Sequence, residues 1–185
     1  AQLYAQHKQE QSRLNVLKPE QTDTFAGYRK YMETVKKATH IKQLVGHGCI
    51  RRAVMGSENR APTDAELEMM KDLLREAMEN GAAGLSSGLT YPPGVFTPKA
   101  ELVELCKVVA AYGGVYTTHM RDEGNGVLDS IRETLDTALE AGCRLNISHL
   151  KAAGVPNWGK SEKILAMIEE AAAKGLDVAY DVYPF

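Results

Sequence analysis

No run of about 18 apolar residues occurs in this chain of 185 residues, so no membrane-crossing helix is expected. No basic, apolar-cored leader opens it, so no secretory signal is expected either. Neither sign of charge dominates. The 22 basic and 24 acidic residues leave a formal net charge of -2, which argues against a nucleic-acid partner. Cysteine is scarce. Cys49, Cys106 and Cys143 form an odd, widely spaced set without a CxxC, which argues against a disulfide framework and for a reducing compartment, with the cytoplasm as the expected location. Cys106, beside Leu105 and Val109, reads as a small apolar packing residue, and Cys143 opens a strand. What remains is a composition 44% hydrophobic and 25% charged, that of a soluble globular domain with a sizeable core.

From about residue 41 the pattern alternates between strand and helix. Ile41–Val45 is a short strand-like run ending in Gly46-His47-Gly48. Thr63 with Glu66 three residues on has the spacing of a capping box. Leu67, Met70, Leu74, Ala77 and Met78 then recur at helical period until Gly81 stops the helix. Ala82–Ser86 is the next strand, followed by a stiff loop, Gly88-Leu89-Thr90-Tyr91-Pro92-Pro93-Gly94. Thr97-Pro98 opens another helix with proline at its first position, its apolar stripe being Leu102, Leu105, Val109 and Ala110. Val115–Thr118 and Leu145–Ser148 are strands, separated by a helix near Val127–Leu139 that Gly142 closes. A helix over about Ser161–Lys174, closed by Gly175, leads to a last strand at Leu176–Tyr180.

Strand spacing of about 30 residues is that of βαβ units, whose parallel strands are buried on both faces. The expected fold class is therefore α/β, part of a TIM-type (β/α)8 barrel with about five βα units. An open doubly wound sheet is the alternative. A closed barrel takes eight strands and about 250 residues, so the chain is expected to be a piece of a longer protein. Residues 1–40 are polar, with a helix expected around Tyr28–Lys37, and read as a connecting segment. Residues 41–185 read as the partial barrel.

Two histidines stand out. His119 follows Val115-Tyr116-Thr117-Thr118, and His149 follows Leu145-Asn146-Ile147-Ser148. Both imidazoles are thereby placed at the carboxyl ends of successive parallel strands, where β/α barrels build active sites. Two neutral imidazoles so placed can share one metal ion. A strand-end histidine is equally a hydrogen-bonding core or surface residue, and spacing alone leaves both readings open. Lys151, two residues past His149, points to the same side of the strand and so leans over the same pocket, as a point charge for a carboxylate, or is a solvated lysine opening a loop. Tyr91, in the Pro-Pro loop, offers a hydroxyl to a carboxylate or packs its own loop. Arg121, Asp122 and Glu123 either orient His119 or form loop salt bridges. His47, at a strand end, is a candidate second-layer or substrate residue. Asn157 and Trp158 lie in the loop after Lys151.

Five segments in order resemble the N-acyl-D-amino-acid deacylases (D-aminoacylases) of the amidohydrolase superfamily. They are Leu44-Val45-Gly46-His47-Gly48 with Arg51; Gly84-Leu85-Ser86-Ser87-Gly88-Leu89 running into Tyr91-Pro92-Pro93-Gly94; Thr118-His119-Met120-Arg121-Asp122-Glu123; Ile147-Ser148-His149-Leu150-Lys151; and Asp181-Val182-Tyr183-Pro184. The resemblance covers residues 41–185. It implies a zinc-dependent hydrolase that cleaves N-acyl-D-amino acids to a carboxylate and a D-amino acid. On the same resemblance His119 and His149 match the metal ligands of the family's fifth and sixth strands, with Zn2+ as the cofactor. Tyr91 and Lys151 match residues that hold the substrate α-carboxylate.

The family's His-x-His pair is absent. Its cysteine ligand would lie upstream, and its general-base aspartate and carboxylate-binding arginine beyond Phe185. None of the three cysteines here replaces the missing ligand. This chain alone is therefore expected to be inactive and, with two histidine ligands where catalytic zinc sites use three, to hold zinc weakly. Two other activities compete. A cyclic-amide hydrolase would need a carboxylated lysine on the strand Ala82–Ser87, which has none. A Schiff-base barrel enzyme would use Lys151 as nucleophile. A third reading is a non-catalytic binding scaffold. The expected partner is a small-molecule N-acyl-D-amino acid, with no nucleic acid or membrane.

Overall fold

The computed structural model describes residues 24–184. The part of the N-terminal connecting segment before residue 24 lies outside them. The described chain opens with helix α1 (Phe25–Thr34), capped by the Thr24 hydroxyl, which accepts from Gly27 N. Five parallel strands follow: β1 (Leu44–Gly46), β2 (Gly84–Gly88), β3 (Val115–His119), β4 (Arg144–Ile147) and β5 (Val178–Tyr180). Between them run α2 (His47–Met55), α3 (Asp64–Glu79), α4 (Lys99–Ala111), α5 (Val127–Ala141) and α6 (Ser161–Ala173), with short 3-10 turns at Gly94–Phe96 and Val155–Lys160.

The strands lie in the order β1-β2-β3-β4-β5, each hydrogen-bonded to its sequence neighbour. A doubly wound sheet reverses its strand order at a switch point. This sheet never does, so it has the winding of a barrel. Alternation along the strands separates its two faces. Leu85, Tyr116, Leu145 and Ile147 are buried in the core shared with Met70, Leu74, Leu105, Val109, Ile131 and Ile168 of the helices. Ser86, Thr117 and Asn146 form a row across the opposite face and are only half-buried.

Local chemistry explains the element ends. Thr63 Oγ1 accepts from Glu66 N at 3.3 Å, and Glu66 Oε2 accepts from Thr63 N at 2.8 Å, which completes the capping box. Arg60 also pairs with Glu66, and that pairing, ahead of the Thr63 N–H, pulls the Glu66 carboxyl down to about 2. Thr63→Ala should lower unfolding stability by about 1 kcal/mol, read as an earlier urea midpoint with an unchanged slope. Gly142 closes α5 in the left-handed conformation at φ 64.

Several element bounds differ from the sequence reading. Strand β1 begins at Leu44 rather than Ile41, and the N-terminal helix sits three residues earlier than expected. Pro98 is the residue before α4 rather than its first residue. Helix α2 starts at His47 directly from β1, where the sequence reading places no helix and where Gly48 is a poor helix former. Its cause is tertiary: His47, Ile50, Arg51 and Met55 fall on one helical face and are buried.

Candidate metal and substrate site

The carboxyl ends of β2, β3 and β4 converge on one small cluster. His119 is the last residue of β3 and pairs in register with Gly88 at the end of β2. Strand β4 stops at Ile147, and His149 adopts φ 43, a left-handed backbone that costs a non-glycine residue about 1–2 kcal/mol. Asp181 holds that turn. Its carboxylate accepts from His149 N at 2.6 Å and from Asn146 Nδ2 at 2.8 Å, and its carbonyl accepts from Leu150 N. The Asn146 amide, then the His149 N–H, hold the Asp181 carboxyl below its ordinary value.

The result is a contact between the two histidines. His119 Nδ1 lies 2.9 Å from His149 Nε2, with the rings edge-on at 4.6 Å between centroids. His149 Nδ1 faces Glu123 Oε1 at 2.8 Å, and Lys151 Nζ donates to Glu123 Oε2 at 2.7 Å. Ligand atoms of His119, Glu123 and His149 all lie within 4.8 Å of one another. Burial, the largest influence, holds the His119 imidazole below its ordinary value against the pull of Glu123, and so favours the neutral form that ligates metals.

The donor set fits a zinc ion. Two imidazole nitrogens on a tetrahedral zinc, each at about 2.0–2.1 Å, stand about 3.3 Å apart. The observed pair needs to part by only a few tenths of an ångström. Neither of two surface clefts on the helical side, one lined by Leu135, Leu139 and Met167 and the other by Lys71, Val108 and Tyr112, touches this cluster.

Tyr91 comes from the loop after β2. Its ring centroid is 6.3 Å from that of His119, and its hydroxyl lies over Gly88, where any added Cβ would collide with it. A Cβ at Gly94 would collide with the Gly88 carbonyl, so the loop folds back on its own strand only with glycine at 94. Arg121 ties that loop to β3. It grips Glu133 of α5 with two N–H groups at 2.9 Å and donates to the carbonyls of Val95 and Thr97 at 3.0 and 2.9 Å. Asp122 caps its own turn by accepting from Gly124 N and Gly126 N.

The structure therefore brings together His119, His149, Lys151 and Tyr91. Lys151 arrives for a different reason than strand alternation. The backbone turns at His149, and Glu123 draws the ammonium back to within 3.1 Å of His149 Nδ1. His47 does not reach the cluster. It is fully buried on Glu101 at 2.7 Å, beside the Arg51–Glu101 ion pair. Asn157 is buried and donates to the Ala153 carbonyl, whereas Trp158 is exposed. Sequence reasoning grouped Glu123 with its neighbours and did not single out Asp181 or Tyr183. The Tyr183 ring stacks 5.9 Å from His149 and lies under Lys151 Nζ.

No protein-family model matches the chain. Over 163 residues it is 40% identical to a D-aminoacylase of Alcaligenes xylosoxydans xylosoxydans, a match covering 88% of this chain and 34% of that protein. A crystal structure of N-acyl-D-glutamate deacylase from Bordetella bronchiseptica, complexed with zinc and a phosphonate mimic of the tetrahedral intermediate, superposes with a TM-score of 0.85 at 37% identity. That match covers 88% of this chain and 34% of the other. Along most of its length the chain is similar to the D-aminoacylases and related deacylases. It spans about a third of the length of the D-aminoacylases and related deacylases that it matches. An L-hydantoinase from Arthrobacter aurescens is similar to this chain in fold alone, with a TM-score of 0.53 at 17% identity over 87% of this chain and 36% of that one.

Proposed function

We propose that the protein to which this chain belongs is a zinc-dependent N-acyl-D-amino-acid deacylase, and that this chain supplies the metal-binding histidines and part of the substrate pocket. The observation that carries this reading is the approach of His119 Nδ1 and His149 Nε2 to 2.9 Å at the ends of adjacent parallel strands, with a lysine and a tyrosine around them. His119 and His149 would hold the zinc. A zinc ion there supplies activated water at neutral pH and polarises the scissile carbonyl. Lys151 and Tyr91 bind the α-carboxylate of the N-acyl-D-amino acid. The carboxylate that moves the proton to the leaving nitrogen is expected from a strand beyond Phe185. This chain alone is then inactive and holds zinc weakly.

Two features favour this reading over its competitors. Strand β2, Gly-Leu-Ser-Ser-Gly, has no lysine for the carbamate of a cyclic-amide hydrolase. Lys151 is engaged by Glu123, the partner of a charged ammonium rather than of a free amine nucleophile. No helix among the described residues is long and apolar enough to cross a membrane, and the three cysteines are free thiols. Free thiols suit a reducing compartment, and on that ground the enzyme is placed in the cytoplasm.

The test is Lys151→Ala in the complete protein. A hydrogen bond to a charged group contributes about 1.5–3 kcal/mol. KM for N-acetyl-D-amino acids should therefore rise about 10- to 100-fold with kcat much less affected, as for a lost ground-state contact. Unchanged KM, with amine release equal from D- and L-substrates, would remove Lys151 from the pocket and the reading with it.

A further inference from the structure

We propose that Glu123 is a positioning residue whose single carboxylate orients the His149 imidazole with one oxygen and holds the Lys151 ammonium with the other. Metal binding and carboxylate recognition then share one anchor. This rests on the deacylase reading above and adds a residue to it.

The argument is geometric. Glu123 lies in the loop between β3 and α5 and is largely buried, with 14% of its side chain exposed. Oε1 is 2.8 Å from His149 Nδ1 and Oε2 is 2.7 Å from Lys151 Nζ, so both oxygens are engaged. Nζ and Nδ1 are themselves only 3.1 Å apart. With Nδ1 protonated, both atoms are donors, and a carboxylate shared between them is what allows that approach. Fixing the proton on Nδ1 leaves the Nε2 lone pair directed at His119 Nδ1, where the two histidines converge. Metal-binding histidines commonly have their second nitrogen anchored in this way, and loss of the anchor typically costs 10–100-fold in metal affinity. The ammonium has three N–H groups. One on Glu123 leaves two for a substrate carboxylate, so Lys151 need not leave its anchor when substrate binds. The backbone reinforces the arrangement: Ala153 N donates to Glu123 O at 2.6 Å, stitching the Glu123 loop to the segment that carries Lys151.

The experiment uses the complete protein and the variants Glu123→Ala, Glu123→Gln, His149→Ala and Lys151→Ala. Zinc affinity by chelator competition, KM and kcat for an N-acetyl-D-amino acid, and the His149 tautomer by 15N NMR of the metal-free protein are measured. Glu123→Ala should weaken zinc binding 10–100-fold, raise KM and abolish the Nδ1–H preference of His149. Glu123→Gln keeps an oxygen for Nδ1–H. It should recover most of the zinc affinity and the tautomer while KM stays raised, because a neutral amide does not hold the ammonium. Lys151→Ala should raise KM and leave zinc affinity at the wild-type value.

Wild-type zinc affinity, KM and tautomer in Glu123→Ala would overturn the proposal. So would a Glu123→Gln protein that loses zinc as completely as His149→Ala, since Glu123 would then be a ligand. Should Glu123→Ala fail to fold, Glu123→Gln carries the test. Absence of zinc from the unsubstituted protein would refute the deacylase reading instead, and the tautomer would still decide the role of Glu123.

Discussion

His119→Ala in the complete protein is expected to lower kcat/KM for N-acyl-D-amino acids by about 10^3-fold or more. A metal that polarises a carbonyl and activates water contributes several kcal/mol to the transition state, and each 1.36 kcal/mol is about tenfold in rate. His119 is also tied into the site by more than its imidazole. Its carbonyl accepts from Leu89 N at 3.1 Å, a bond the substitution keeps. The loss should therefore appear in kcat with the circular-dichroism spectrum unchanged. Steady-state kinetics with both enantiomers provide the check, and activity within tenfold of wild type would contradict it.

Gly88→Ala is expected to raise KM by about 10- to 100-fold with a smaller effect on kcat. The backbone at Gly88 is not left-handed, so the difficulty there is one of space. The new methyl would occupy the position of the Tyr91 hydroxyl. Tyr91 is 58% exposed, so little packing resists its departure into solvent. The substrate carboxylate would then lose one hydrogen bond from a positioned donor, about 1.5–3 kcal/mol where charge is involved. Tyr91→Phe should reproduce much of the KM rise without the steric change. If Gly88→Ala leaves KM alone while Tyr91→Phe raises it, the loop has room that the structure denies.

The sequence reveals the fold well where local and tertiary preferences agree. The capping box at Thr63, the glycine stops at 81, 142 and 175 and the apolar runs of β3 and β4 each act through their own neighbours, and each is found near its expected place. Helix α2 shows the opposite case. Gly48 argues against it locally, whereas the buried His47, Ile50, Arg51 and Met55 favour it, and only their i, i+3, i+4, i+8 spacing could have revealed it. Legibility of the site divides in the same way. His119 and His149 mark strand ends and are visible as such. Glu123 and Asp181 act from positions without periodicity: one carboxylate sits four residues past His119, and the other closes the His149 turn from 32 residues away. Nothing in a charged loop tripeptide distinguishes the carboxylate that anchors a histidine from one that caps a turn, as Asp122 does. The alternation rule that would bring Lys151 beside His149 is broken by the positive φ of His149, and Lys151 Nζ comes within 3.1 Å of His149 Nδ1 by another route, its contact with Glu123.

The measurement closest to the central claim is the zinc content of the complete protein, purified without chelators, beside His119→Ala and His149→Ala. The account predicts at least one zinc per chain in the wild type, sharply reduced in both variants, together with release of amine from N-acetyl-D-amino acids and not from their L-enantiomers. Full zinc occupancy in both variants would show that these histidines do not hold the metal, and would contradict the account.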